Sequence, residues 1–139
     1  MKVCPDTNWW IAHALEPRRP GPARGDVFLT ATVLQELWAG ARSAPERAYA
    51  ERVYDAARRH RRLLNPPTAA WILSGQALHI LARRRRFSAA RLRALRNDVV
   101  LAATAYVYGA AVMTHDAADF AAIAAVLPVR IVGPPHQDA

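Results

Sequence analysis

The chain has one cysteine, Cys4, and one lysine, Lys2. A single cysteine forms no intramolecular disulfide, which points to a reducing compartment. No apolar run reaches membrane-spanning length; the longest, Val99 to Met113, is interrupted by Thr104, Tyr106 and Gly109. The opening Met1-Lys2-Val3 runs into Cys4-Pro5-Asp6 without the apolar core of a leader peptide. These absences together predict a cytoplasmic protein away from the membrane. Acids are also scarce, eleven Asp and Glu against nineteen Lys and Arg. No Cys/His cluster exists to suit zinc.

What is present is mostly apolar and basic. An apolar content of 53% over 139 residues excludes a disordered chain and predicts one domain spanning 1–139. Eighteen of the nineteen cations are arginine, and the net charge is +8. Such a surface attracts polyanions, and arginine binds phosphate bidentately. An Ala- and Arg-rich composition arises equally from base composition, so charge alone does not choose a nucleic-acid partner.

Short apolar runs alternate with helical periodicity. Strands are predicted at Val3–Pro5, Val27–Leu29, Leu63–Leu64, Ala110–Thr114 and Val129–Val132. Pro5 is awkward in a strand, since it brings no N–H. Asn8 reads as the cap of a first helix through Trp9 and Leu15, and Pro17 to Gly25 as a loop. Thr32 with Gln35, and Ser43 with Glu46, fit capping boxes, the first placing Glu36 in an opening helical turn. The second helix of this pair runs from about Pro45 to Arg61. Thr68 and Ser88 read as later caps; whether the helix after Ser88 breaks near Asn97 is open. Strands alternating with helices imply a parallel sheet covered on both faces.

The scarce acids gather at these handover points. Asp6 follows the first strand, with Thr7 and Asn8 adding polar atoms. Glu36 lies among Val33, Leu34, Leu37 and Trp38, where an unpaired carboxylate is costly. Asp98 precedes a stretch with no other charge until His115, so it stands at the head of a buried helix. Asp116 and Asp119 flank the start of a short helix after the fourth strand, where a helix cap explains either one. Each acid alone also reads as a cap or turn residue, and His115 as a solvent-side residue. Their order at successive strand ends is harder to assign to chance, because ligands of α/β sheets bind at that edge.

The run Asp6-Thr7-Asn8, Glu36 in the helix after the second strand, Asn97-Asp98 with Ala102-Ala103-Thr104, and Thr114-His115-Asp116 with Asp119-Phe120 resembles the PIN domain. Within that family it is most similar to the VapC-type toxins of bacterial toxin–antitoxin pairs, over nearly the whole chain. The resemblance implies an α/β PIN-like fold, a short central parallel sheet flanked by helices. It implies that Asp6, Glu36, Asp98 and Asp116 are catalytic, with Asp6, Asp98 and Asp116 holding Mg²⁺ or Mn²⁺ and Asp119 the alternative to Asp116. Thr7, Asn8 and Thr114 would support the pocket. Cys4-Pro5 departs from the family's usual aliphatic pair, and the stretch from Arg86 to Asn97 is longer than its pattern.

The implied activity is metal-dependent hydrolysis of RNA phosphodiesters, by a homodimer restrained by a small antitoxin. Arg83, Arg84, Arg85 and Arg86, with Arg91 and Arg93, are candidates for the RNA backbone, although an arginine run is usually a solvated face. Trp38, Tyr49 and Tyr54 serve either the antitoxin groove, a dimer contact or plain core packing. Two alternatives stay open: a non-catalytic RNA- or protein-binding PIN module, and a DNA-directed metal nuclease. A phosphoacceptor receiver domain would want paired acids after the first strand and a late lysine. A dehalogenase-like phosphatase would want Asp-x-Asp where Asp6-Thr7-Asn8 stands. Neither pattern is present.

Overall fold

A computed structural model describes residues 1–15 and 26–134. The segment expected to be a loop, 17–25, lies outside the described residues. The elements run β1 (Val3–Pro5), α1 (Thr7–Leu15), β2 (Leu29–Thr30), α2 (Ala31–Gly40), α3 (Ala44–Arg59), β3 (Leu63–Leu64), α4 (Thr68–Arg83), α5 (Ala89–Val107), β4 (Ala111–Met113), α6 (Ala117–Ala124) and β5 (Ile131–Val132). The expected α/β alternation is present, with all strand pairs parallel.

β1 pairs with β4 and β4 with β5, while β2 pairs with β3. A single bridge from Val3 to Val27 joins the two sets. The chain therefore steps outward on one side of β1 through β2 and β3, then crosses to β4 and β5 on the other. The reversal falls between β1 and β4. At such a switch point the connecting segments diverge and leave a crevice at the carboxyl ends of the strands.

Pro5 does not disturb its strand, and it pairs in register with Met113. Lys2 O accepts from Ala111, and Asp6 N donates to Met113 O at 2.9 Å, so the even positions face β4. The odd position of Pro5 faces β2, where the described pairing is the lone Val3–Val27 bridge. Its missing N–H therefore falls where the β4 ladder does not need one.

Two helix starts differ from expectation. α1 is capped by Asp6, whose Oδ1 accepts from Trp9 N at 3.0 Å, rather than by Asn8. α2 is capped by Thr30, whose hydroxyl accepts from Val33 N, two residues before the expected Thr32. Thr30 is the last residue of β2 and still extended (φ −94°, ψ 150°), so the strand itself delivers the cap. Thr32 is buried inside the helix, and Glu36 lies in its second turn, beyond the reach of the N-terminal dipole. α4 starts at Thr68 after Pro67 and has no side-chain cap. Ser43 and Ser88 cap α3 and α5 as their sequence patterns predict.

α5 is one unbroken helix. Its residues from Val99 to Ala105 are all buried, which fits a helix apolar on every side at the centre of the fold. It ends in a Schellman turn: Ala110 N reaches Ala105 O, Gly109 N reaches Tyr106 O, and Gly109 takes φ +69°. The first half of α5 is mostly exposed, with Leu95 buried and Leu92 half-buried. It therefore forms, with the end of α4, a hairpin bearing the arginine run. Tyr49 is a packing residue, its hydroxyl donating to Trp10 O at 2.6 Å, whereas Trp38 and Tyr54 are exposed.

Candidate metal centre

Asp6 lies at the switch point and is 5% exposed. Its Oδ1 caps α1, and its Oδ2 accepts from the Thr114 hydroxyl at 2.5 Å. Thr114, also buried, is held by its own N–H to Val132 O, and its Oγ1 accepts from Asp116 N at 2.8 Å. One hydroxyl thus joins the end of β4, the start of α6 and the carboxylate at the end of β1. Each Asp6 oxygen keeps a lone pair for another partner.

The other acids come from three helices. Glu36 is half-buried on α2. Its carboxyl is pushed up, first by burial and then by the charge of Asp6, while the neighbouring Thr7 hydroxyl acts against this. That hydroxyl lies close to Glu36 but off the geometry of a full hydrogen bond, and it is buried without a partner. Asp98, the tenth residue of α5, is half-buried. Its carboxyl is pushed up to about 7, by burial first and then by Glu36, Asp6, Asp119 and Asp116 in that order. Asp98 is therefore no N-terminal helix acid, and it feels all four of its acidic counterparts.

Asp116 precedes α6 but makes no side-chain capping bond, so capping does not account for its carboxylate. Asp119 sits in the first turn of α6 and acts on Asp98 more strongly than Asp116 does. Both are exposed, as is Asn8. The arginines Arg83 to Arg86 are exposed at the turn between α4 and α5. Ala89 to Asp98 spans about 14 Å of helical rise, so this run stands beyond the acids at a hairpin tip. Arg91 is occupied locally, its guanidinium 3.6 Å from the Phe87 ring centroid.

The donor set suits a hard divalent cation. The converging side chains offer carboxylate and hydroxyl oxygens, with no sulfur or imidazole. Asp98 is raised first by burial and then by the acids around it, and Thr7 Oγ1 is a buried oxygen without a partner. Among the described residues, no three or more His, Cys, Asp or Glu side chains close tightly enough to enclose an ion. Trp10, one turn beyond Thr7, packs against the core, and its buried indole N–H also lacks a partner.

The PIN domain profile matches residues 3–126. The chain belongs to the PIN-domain family. Among solved structures, a chain of the DNA-bound VapBC of Salmonella typhimurium is similar over 96% of this chain and 98% of its own, at 24% identity and a TM-score of 0.67. FitAcB from Neisseria gonorrhoeae matches over 93% of this PIN chain and 95% of its own, at 23% identity and a TM-score of 0.61. VapBC-1 from nontypeable Haemophilus influenzae matches over 96% and 98%, at 19% identity and a TM-score of 0.66. At these identities the likeness shows the shared fold. No curated protein sequence matches the chain. No helix among the described residues is long and apolar enough to cross a membrane.

Proposed function

We propose that this PIN domain is a Mg²⁺- or Mn²⁺-dependent endoribonuclease, the toxin of a toxin–antitoxin pair. The observation that carries the reading is the gathering of Glu36, Asp98, Asp116 and Asp119 around the buried Asp6–Thr114 pair at the sheet's switch point, close enough for all four other acids to act on Asp98. So much like charge in one crevice is relieved by a proton or by a bound cation, and a divalent cation would stabilise the fully ionised cluster at neutral pH. Asp6, Asp98 and one of Asp116 and Asp119 would hold the ion, with Glu36 facing it from α2. A divalent cation there would supply an acidified water and neutralise charge on a phosphate.

The chain's own residues prepare the site. Thr114 fixes the rotamer of Asp6, and α1, capped by the same carboxylate, is held in place with it. Thr7 offers its unpartnered hydroxyl to Glu36 or to a water. Glu36, half-buried on α2, would orient an attacking water. The exposed arginines of the α4–α5 hairpin would take the phosphates of a bound strand away from the cut. Complexes named VapBC and FitAB share the fold, which supports a protein partner for this chain.

The test is cleavage of structured RNA in Mg²⁺, repeated in EDTA and with Asp98→Asn. Loss in both, by about 10²-fold or more for the variant, supports the reading. Undiminished cleavage by Asp98→Asn sinks it. Cutting of DNA in place of RNA would favour the DNA-directed alternative, and RNA binding without any cleavage the non-catalytic module. Growth arrest on expression, relieved by a neighbouring gene's product, tests the toxin assignment.

A further inference from the structure

In a sheet whose strands all run parallel, the residues that enter the strands share one edge and those that leave them share the other. Three of the five strands here are entered from a cation: Lys2 before β1, Arg62 before β3 and Arg130 before β5. Their carbonyls are ladder acceptors, Lys2 O for Ala111 N, Arg62 O for Leu29 N and Arg130 O for Val112 N, at 2.9, 2.8 and 2.9 Å. The sheet therefore fixes the backbone of all three along the edge opposite Asp6.

Two of the side chains are held as well. The Phe28 ring centroid lies 4.8 Å from the Arg62 guanidinium and 5.8 Å from the Lys2 ammonium, so one aromatic places two cations. Beside Arg62, at the end of α3, Arg58, Arg59 and Arg61 are exposed. Arg61 turns the chain into β3 with φ +55°, a conformation that glycine adopts at less cost. Two acids accompany these six cations, and each has a cation beside it. Asp26 lies 3.4 Å from the amino terminus, and Asp55 lies 3.8 Å from Arg58.

The row has the dimensions of a polyanion contact. From β3 to β5 it crosses four strand spacings, about 19 Å. A nucleic-acid duplex presents a phosphate on each strand about every 3.4 Å of axis, so the row meets several in succession. Cations spread over that length and open to solvent suit a repeating charge better than one small anion. Arginine also takes phosphate oxygens in pairs.

Its place in the fold decides what part of the polyanion it touches. From Lys2 to Asp6 the extended chain advances about 13 Å, so the cations and the acids stand at opposite ends of one strand. An RNA strand lying in the acidic crevice passes over the carboxyl edge and leaves the amino edge uncovered.

We propose that Lys2, Arg58, Arg59, Arg61, Arg62 and Arg130 form a second RNA-binding surface, on the sheet edge opposite the acids, which holds a part of a folded RNA remote from the cut. The choice of RNA as the polyanion rests on the ribonuclease reading. The surface makes the substrate a folded RNA broad enough to reach both edges, whereas a short single strand engages the crevice alone.

RNA binding in EDTA tests the surface apart from catalysis. Arg61→Gln with Arg130→Gln, near the two ends of the row, should weaken binding of a structured RNA about 10-fold and reduce the salt slope by about two. Binding of a short single-stranded oligonucleotide should change by less than about twofold, because it contacts few of these cations. Arg47→Gln with Arg52→Gln removes the same charge from earlier on α3, and should cost less than about twofold with either RNA. All four side chains are exposed, so thermal melting should be unchanged. Equal binding of the structured RNA by the wild type and the Arg61/Arg130 variant would overturn the proposal. So would an equal loss with the oligonucleotide, or from the Arg47/Arg52 variant. The expected binding loss in a protein that cuts no RNA would overturn the nuclease reading and leave this surface standing.

Discussion

The Thr114 hydroxyl donates to Asp6 Oδ2 at 2.5 Å across 108 positions of sequence, joining the ends of the two strands that flank the switch point. Thr114→Val should leave a buried carboxylate oxygen without its donor. The expected loss is about 1–3 kcal/mol of stability in denaturant titration. RNA cleavage should fall by about 10- to 100-fold, as for other groups that orient a metal ligand. Thr114→Ser, which keeps the donor, should retain most of both. Wild-type activity in the valine variant would show that Asp6 needs no such support.

Asp98 predicts an unusual pH profile for the metal-free protein. Its folded carboxyl holds a proton up to about 7, against an ordinary value of 3.8. Between those values the folded state binds more protons than the unfolded chain, so stability falls as pH rises. Allowing for screening at a partly exposed group, the fall is about 1–2 kcal/mol between pH 4 and 7. Asp98→Asn should flatten that slope and be the more stable protein at pH 8 in EDTA. Chemical denaturation across pH measures it, and an equal slope in the variant would refute the assignment.

Mg²⁺ or Mn²⁺ should reverse the effect by stabilising the ionised cluster. At a free concentration near 100 times Kd, the gain is about 2.7 kcal/mol, seen as a higher melting temperature. It should grow from pH 6 to pH 8 and vanish in Asp98→Asn. A shift of equal size in that variant would place the ion elsewhere.

Asp116 and Asp119 can be separated by the same logic. Because Asp119 acts on Asp98 more strongly, Asp119→Asn should lower the Asp98 carboxyl further than Asp116→Asn does. Carboxyl titration by NMR in the metal-free protein reads both, and the reverse order would return Asp116 to first place.

The hairpin arginines should act by charge alone. Arg84→Ala with Arg85→Ala should weaken binding to unrelated RNAs about equally and reduce the salt slope by about one for each phosphate no longer neutralised. Binding measured in several salt concentrations checks this. An unchanged slope would make the run a solvated face.

Much of this was legible in the chain because the signals are local. Ser43 and Ser88 cap helices through residues three positions away, and the apolar run from Val99 announces a buried helix without outside help. The acids stood out because they are few and read as strand-end residues, which holds for Asp6 and Asp116, whereas Glu36 and Asp98 lie inside α2 and α5. The start of α2 was misplaced for a comparable reason: Thr32 with Gln35 is as good a local cap as Thr30, and only the pairing of β2 with β3 keeps Thr30 extended. Asp98 was readable as an acid beside a buried helix, but not as one ten residues inside it, because Asn97 is also a competent cap.

The sequence by itself determined which groups this protein has to work with: eleven acids, five of them candidates for one site, no Cys/His cluster, and eighteen arginines. Tertiary structure decided how they meet. Parallel pairing of β1 with β4 brings Asp6 to Thr114, and the crossing of α2, α5 and α6 over that edge brings Glu36, Asp119 and Asp116 within reach of Asp98. Charges that repel come together only where packing elsewhere holds their helices in place, and no stretch of chain contains both.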